Sequence, residues 1–330
     1  MRKVIDILII SSAVVTVFVL PLLLLSSCST IGFEEKSFAV SGDFSILTID
    51  ADTEQIIILP ATDGICKVVC TDSSKQYHSV EEVDGALEIK SVDERRWFEK
   101  ISFWEERSIT VYLPLDIYTS LFIDSHTGDI VIAEGCTFEH ISVNLSTGDV
   151  RCRASANNVI RINTSTGDID LSNSAAASFE LTATTGKVVI MDAKCNESVI
   201  KTNTGDIDVS DLDCEGKLEV SVTTGRVSLT NVNAGSLSSN GDTGDIILNS
   251  VLVDDKMLIK RDTGDVRFDK CDAGEVEIIT DTGDVKGSFL TEKIIFAETD
   301  TGRVDVPKLT SGARCDITTD TGDIKITIEQ

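Results

Sequence analysis

The sequence predicts an all-β fold: a parallel β-solenoid (β-helix) of about eleven coils of 19–20 residues, preceded by an irregular β-rich N-terminal portion. Three observations predict it. The dipeptide Thr-Gly recurs every 19 or 20 residues, apolar residues keep fixed distances from it, and no helix-length periodic segment separates the predicted strands. A short fixed period is typical of stacked arrays in which each repeat forms one coil. The corner glycines are Gly128, Gly148, Gly167, Gly186, Gly205, Gly225, Gly244, Gly264, Gly283, Gly302 and Gly322.

The apolar columns define the strands of each coil. Ile or Val occupies the second position after every corner glycine, and the fourth position is usually apolar. Apolar residues also dominate the fifth and seventh positions before each glycine. Because spacing by two is the period of a strand with one buried face, each coil is predicted to hold two short strands. The Thr-Gly corner joins them at one end, and a looser loop joins them at the other.

The corner itself explains the glycine. A sharp corner between two strands needs positive φ, which glycine adopts without steric cost. Coils that pair in parallel rise ~4.8 Å per rung, so eleven of them would form a rod on the order of 50 Å long.

Residues 1–28 have the order of parts of an export signal: a positively charged start, a mostly apolar run over 7–25, and the ending Leu-Ser-Ser-Cys. This ending resembles a lipobox, where bacterial lipoproteins are cleaved and lipidated, so Cys28 is the predicted lipidation site. The alternative is an uncleaved transmembrane anchor, because the apolar run is near the lower length limit for a span. Residues 29–40 are predicted to form a tether.

Residues 41–120 are predicted to form the irregular β-portion, and residues 121–330 the Thr-Gly-Asp repeats. The irregular portion contains an aromatic and basic stretch at 95–107, called the aromatic segment below. One interpretation is a plug packed over the end or flank of the core. The other is an exposed loop that docks a partner or the membrane interface, where Trp is enriched. Its candidate partner-binding residues are Trp97, Phe98, Phe103 and Trp104.

The chain stops directly after the eleventh corner, without a polar cap. An uncovered last coil would be an open sheet edge that invites pairing with another chain. We therefore expect possible self-association, or pairing with another protein, through an open C-terminal coil.

The repeated Thr-Gly-Asp-Ile/Val-x-apolar coils, the stretch Ile-Thr-Val-Tyr-Leu-Pro at 109–114 and the N-terminal anchor resemble the bacterial "putative adhesin" family of envelope β-solenoids, also labelled a domain of unknown function. The resemblance covers roughly residues 40–330. It implies an extracytoplasmic, membrane-attached protein and is specific for architecture rather than for an activity.

Several sequence motifs are candidates for catalytic, metal-binding or disulfide sites. Asp-Thr-Gly marks aspartic proteases, but a protease needs two such aspartates converging in one cleft, whereas five in consecutive coils form a ladder. The acidic edge formed by these and the Thr-Gly-Asp aspartates is expected to be solvated, with structural Ca²⁺ as the alternative. Cys195 and Cys214 occupy the same position in adjacent coils, which places them within disulfide range. The alternative is that both are buried free thiols. No zinc-type spacing of Cys and His occurs. We expect neither a metal nor a cofactor.

The net charge of −26 disfavours nucleic-acid binding. Coils of 19–20 residues leave no room for the long catalytic loops of polysaccharide-active β-helix enzymes, so an enzyme is not expected. The leading hypothesis is a non-enzymatic, lipid-anchored envelope solenoid that binds an envelope protein or a glycan. The alternatives are a regulatory or sensory subunit that binds a membrane protein through the aromatic segment and, third, a polysaccharide-active enzyme.

Overall fold

The computed structural model describes residues 18–19, 32–96 and 107–329. These residues form strands and turns only, and all 26 strands belong to one continuous sheet. The described residues include no helix that could span a membrane. The strands are β1 (Phe18–Val19), β2 (Glu34–Val40), β3 (Ile46–Ala51), β4 (Gln55–Pro60), β5 (Cys66–Asp72), β6 (Gln76–Val83), β7 (Ala86–Asp93), β8 (Ser108–Leu113), β9 (Ile117–Thr127), β10 (Ile130–Ile132), β11 (Thr137–Thr147), β12 (Val150–Cys152), β13 (Ser155–Thr166), β14 (Ile169–Ser172), β15 (Ser178–Thr185), β16 (Val188–Cys195), β17 (Glu197–Thr204), β18 (Ile207–Thr224), β19 (Val227–Thr243), β20 (Ile246–Thr263), β21 (Val266–Thr282), β22 (Val285–Phe289), β23 (Lys293–Thr301), β24 (Val304–Asp305), β25 (Ala313–Thr321) and β26 (Ile324–Ile328).

The coils stack in parallel with their corners in register, which confirms the predicted β-solenoid. After the corner, Val188 pairs with Ile207, which pairs with Val227 in the next coil. Before the corner, Ile200 pairs with Val220 in the same way. These residues are fully buried. The apolar columns of the sequence therefore line one continuous core along the stack.

Each central coil has three strand segments rather than two. In β18 the buried side chains change phase at Asp211, whose φ is +54°. Beyond this second corner, Leu212 and Cys214 pair in parallel with Ala193 and Cys195 of the preceding coil. The sequence predicted a looser loop at this position, and this prediction is wrong for the central coils. The region forms a third strand segment that pairs with the neighbouring coil. The second corner falls on polar residues, which populate the left-handed region in turns: Asn173, Asp192, Asp211, Asn231, Ser250 and Lys270 have φ of 51–54°.

The Thr-Gly corner needs glycine for two reasons. The predicted positive φ is confirmed, for example +143° at Gly205. In addition, a Cβ at Gly205 would lie 2.0 Å from the carbonyl oxygen of Gly186 in the preceding coil. A side chain here would therefore force adjacent coils apart, whatever its own backbone preference.

The C-terminal end of the stack does not follow chain order. The eleventh coil, β25 and β26, lies between the ninth coil and the tenth: β25 pairs with β21 and β23, and β26 pairs with β22 and β24. The corner hydrogen bonds agree, since Gly283 N donates to Thr321 O and Gly322 N donates to Thr301 O. The expectation of an open C-terminal coil is therefore wrong. The coil at the edge is the tenth, β23 and β24.

The N-terminal end is transposed in the same sense. Strands β3 and β4 form a coil that lies between β9–β10 on one side and β7–β8 on the other. Beyond this pair of N-terminal coils the pairing becomes antiparallel, with β6 on β7, and with β5 on β8 followed by β2. The region without Thr-Gly corners thus holds two coils of the same stack and an antiparallel cap.

Candidate functional site

The site residues predicted from the sequence lie outside the described residues. This applies to Cys28 with the rest of the export signal, and to Trp97, Phe98, Phe103 and Trp104 of the aromatic segment. The structure does, however, describe the two feet of the aromatic segment, and these lie at the N-terminal end of the solenoid.

The described feet of the aromatic segment flank a coil corner. Strand β7 ends at Asp93 and β8 begins at Ser108, which pairs with Gln55 directly after the corner of the neighbouring coil. At the first foot, the guanidinium of Arg95 donates to both carboxylate oxygens of Asp93, at 3.0 Å each. At the second foot, the side chain of Arg107 turns into the protein and is buried. The two feet of the aromatic segment therefore lie at a corner of the outermost parallel coil.

Arg107 belongs to a buried group of charges, called the ionic cluster below: Glu54, Asp72, His78 and Arg107. Each of these residues is at most 5% exposed. Arg107 lies 2.5 Å from the Glu54 carboxylate, and His78 lies 3.5 Å from the same oxygen. On its other side, the Nδ1 atom of His78 is 2.6 Å from Asp72 Oδ1. Two carboxylates thus alternate with two cations across strands that are distant in the sequence.

Further contacts complete the ionic cluster. The second oxygen of Glu54 accepts the backbone N–H groups of Asp52 and Thr53, at 2.8 and 2.9 Å. Lys36, from the cap strand β2, reaches the second oxygen of Asp72 at 3.1 Å. The ionic cluster therefore joins the first coil corner, the three cap strands β2, β5 and β6, and the second foot of the aromatic segment.

The surroundings keep Glu54 and His78 charged. Burial alone would raise the pKa of Glu54, but the contact with His78 and the positive charge of Arg107 outweigh it and lower this pKa to about 2. Burial would likewise lower the pKa of His78, but its hydrogen bond to Asp72 and its contacts with Cys70 and Glu54 raise it to about 11. Both groups are ionised across the whole physiological range, so this histidine has no free lone pair to act as a base.

The arrangement favours a structural clamp. Among the described residues, no group of three or more His, Cys, Asp or Glu side chains could hold a metal ion. The sequence did not predict the cluster because its members lie on different strands and share no regular spacing. One signal was present: Glu54 stands where the other corners carry glycine.

The aspartates after the corner glycines do more than face solvent. Each one that is followed by another coil accepts the backbone N–H of the matching residue there; for example, Asp149 N donates to Asp129 Oδ1 at 3.0 Å. The other such bonds start at Asp168, Lys187, Arg226, Asp265, Asp284, Asp323 and Arg303 and measure 2.7–3.0 Å. The expectation of a merely solvated acidic edge is wrong for this column, because its carboxylates connect adjacent coils.

One family model, that of the Toastrack DUF4097 domain, matches residues 44–240 and 215–330. The chain belongs to the Toastrack DUF4097 family. No curated protein matches it.

The chain is similar to several solved structures at low identity. A protein from Parabacteroides distasonis described as a putative lipid-binding protein is 13% identical with a TM-score of 0.42, covering 77% of this chain and 94% of its own. Two proteins described as putative adhesins, from Bacteroides fragilis and Parabacteroides merdae, are 14% and 11% identical with TM-scores of 0.31 and 0.32. The first covers 90% of this chain and 98% of its own, and the second 89% and 96%. At these TM-scores the structures carry no argument about what this Toastrack chain binds.

Two further features concern side chains inside the Toastrack stack. Cys195 and Cys214 are register partners and buried, and both are free thiols in contact with each other. Arg261 points into the core, where it is 2% exposed and donates to Val222 O at 3.3 Å. Gly241 in the preceding coil leaves the space that the guanidinium occupies.

Proposed function

We propose that this Toastrack chain is a non-enzymatic, exported solenoid, anchored to the outer face of a bacterial membrane through Cys28, whose N-terminal end binds an envelope protein. One observation carries the proposal. The two feet of the aromatic segment lie at a coil corner of that end, and a buried ionic cluster clamps the second foot. Such a clamp is costly to build from charges, so it fits a segment whose position matters.

The composition of the two surfaces supports the choice of this end. Binding hot spots are usually Trp, Tyr or Arg. The flanks of the rod place Thr, Asp, Asn and Ser outward at the corners, while the aromatic segment contains both tryptophans of the chain. A glycan partner is the weaker candidate because sugar recognition also uses aromatic platforms, and the flanks expose few aromatic rings.

The position of the segment also favours a membrane-associated partner, as expected for a regulatory or sensory subunit. The cap strand β2 begins at Glu34, only six residues after Cys28, so a chain lipidated there would hold this end close to the bilayer. Six residues span at most ~20 Å when extended. A partner that reaches the aromatic segment would then be an envelope protein in or near the same membrane.

The test is the double substitution Trp97→Ala with Trp104→Ala, assayed for partner capture from native membranes and for thermal unfolding. The matched control is Phe122→Ala, an aromatic side chain 44% exposed on the flank of the rod. Lost capture with unchanged unfolding, in the double variant alone, supports docking. Retained capture, or a collapse of stability that indicates a core plug, contradicts it.

The anchoring is tested separately. Cys28→Ser should leave an uncleaved precursor and abolish labelling by a fatty-acid analogue. Labelling that survives the substitution would rule out Cys28 as the lipidated residue.

A further inference from the structure

The edge coil at the C-terminal end leaves part of the core uncovered. Among the described strands, β23 pairs with β25 and β24 with β26, so each has a partner on one side only. Val304 is 44% exposed here, although the same column is fully buried in the next coil at Ile324. Phe296 is 57% exposed on the outer face of β23. This end therefore presents unpaired backbone groups beside apolar side chains, which is a template for a further strand.

The edge strand is held in place rather than frayed. Lys293, at its start, is buried and pairs with the Asp272 carboxylate. Its ammonium group also donates to Ala273 O at 3.0 Å and to Thr291 Oγ1 at 2.9 Å. The guanidinium of Arg314 lies over the ring of Phe296, 5.4 Å from its centroid. A preformed edge of this kind loses little conformational entropy when a partner strand is added.

The opposite end of the solenoid does not complement this edge. It is closed by the antiparallel cap strands, whose exposed positions include Glu34, Glu35 and Glu81. The outer face of β23 itself carries Glu298 and Asp300. Head-to-tail stacking of two copies would bring these carboxylates together, and like charges in facing strands are destabilising.

We propose that a second copy of this chain covers the edge, with the β23 strands of the two copies paired antiparallel about a two-fold axis near Ala297. In this register the residue pairs on the outer face are Phe296 with Glu298, and Ile294 with Asp300. On the inner face Ile295 meets Thr299. No carboxylate faces another carboxylate, whereas in a parallel in-register pair Glu298 and Asp300 would each face themselves. The strand is thus self-complementary in the isologous arrangement that two-fold dimers use.

The dimer has a consequence that rests on the proposed anchoring at Cys28. The edge lies at the end of the stack remote from β2, on the order of 60 Å away for thirteen rungs at ~4.8 Å per rung. Chains anchored at their N-terminal ends would then meet tip to tip. A tail-to-tail dimer of this geometry connects two opposed membranes. It does not place the two chains side by side on one membrane.

The experiment is sedimentation of the intact, detergent-solubilised chain over a concentration series, which does not depend on whether Cys28 is lipidated. The variant is Phe296→Glu, which places a carboxylate opposite Glu298 of the partner at two symmetric positions. The matched control is Phe122→Glu, because Phe122 occupies the same position relative to its corner glycine and is 44% exposed. We expect a dimer for the wild type and the control, and dimerisation weakened at least about tenfold by Phe296→Glu. A monomeric wild type, which leaves the edge to a different partner, or an unaffected Phe296→Glu dimer overturns the proposal.

A cross-linking arm decides the question if Phe296→Glu does not fold. The double variant Phe296→Cys with Glu298→Cys should form a reducible dimer after treatment with a disulfide oxidant, because each new thiol faces the other position on the partner. Phe122→Cys with Asp124→Cys, at the same two columns in the first Thr-Gly coil, should not. Equal cross-linking of the two variants, or none in either, contradicts the pairing.

Discussion

The two ends of the solenoid cover their terminal coils in a similar way but close the stack differently. At each end the coil nearest the chain terminus is placed one rung inside the stack, covered by its neighbour in the sequence: β7–β8 covers β3–β4, and β23–β24 covers β25–β26. Termini are normally poorly ordered unless tied down, and a coil paired on both sides is tied down.

Beyond this shared device the ends differ. The N-terminal end adds the buried ionic cluster and antiparallel strands, and these strands cover the edge of the outermost parallel coil. The C-terminal end stops at the edge coil, whose protection is limited to charged side chains and to Pro307 just after β24. Among the described residues, the N-terminal end therefore carries an antiparallel cap with a clamped segment, whereas the C-terminal end exposes the unpaired edge of a parallel coil.

The largest expected effect is at the ionic cluster. Arg107→Leu leaves Glu54 buried without its closest cation, and breaking a buried pair in this way costs about 3–5 kcal/mol. The measurement is the free energy of unfolding in denaturant. The matched change at the other end is Arg303→Leu, whose side chain is 87% exposed beside Asp323. It should produce no comparable loss, and equal losses at the two ends would contradict the contrast.

The second prediction concerns the pH dependence of the same cluster. The pKa of Glu54 is lowered from 4.5 to about 2, so its stabilising contribution is complete above pH 4.5 and is lost as the pH falls through about 2. The pKa of His78 is raised from 6.5 to about 11, so its contribution is complete below pH 6.5 and is lost as the pH rises through about 11. Glu54→Gln should flatten the acid limb of unfolding free energy against pH. An unchanged acid limb would show that Glu54 does not carry it.

The third prediction separates the last two coils. Ile324→Ala, in the eleventh coil, should cost about 2–5 kcal/mol because the side chain is fully buried. Val304→Ala, at the same column of the edge coil, should cost less than about 1 kcal/mol because nearly half of that side chain is already exposed. If chain order set the stacking order, Val304 would be the buried residue and the ranking of the two melting temperatures would be reversed.

The smallest effect is expected at the carboxylate ladder in the middle of the rod. Asp206→Ala removes the acceptor for Arg226 N, 2.8 Å away, and should cost about 0.5–1.5 kcal/mol. Asp206→Asn keeps an acceptor oxygen and should change the free energy of unfolding by less than about 0.5 kcal/mol. Equal effects of the two substitutions would mean that the ladder contributes nothing beyond its charge.

The sequence predicted the coils because their cause is local and repeated. Every Thr-Gly corner carries a glycine that a neighbouring carbonyl approaches closely, and most column positions are apolar, so period and columns were both visible. The third segment of the central coils was not predicted. Its left-handed residue stands six positions after the corner glycine in each of these coils, but its type varies, as in Asp211, Ser250 and Lys270. Family membership confirms the coarse architecture, but it adds no binding residue.

The order of the end coils could not be read in the same way. All Thr-Gly coils present the same columns to a neighbour, so the pattern does not say which coil stacks on which. The small inward residue of the tenth coil, Ala297, and the following Pro307 are consistent with an edge, but only in retrospect. The ionic cluster was hidden for another reason: β5 and β6 turn antiparallel, and only this brings Asp72 and His78 to Glu54.

Amide hydrogen exchange of the native chain, resolved to peptides, distinguishes the transposed stacking from stacking in chain order. Backbone groups of β25, and of Ile324 and Lys325 in β26, lie between two partner strands, whereas those of β23 and β24 have a partner strand on one side only. We predict that residues 313–325 exchange more slowly than residues 293–305 at protein concentrations low enough to keep the chain monomeric. Faster exchange in 313–325 would place the last coil at the edge and contradict the transposed stacking.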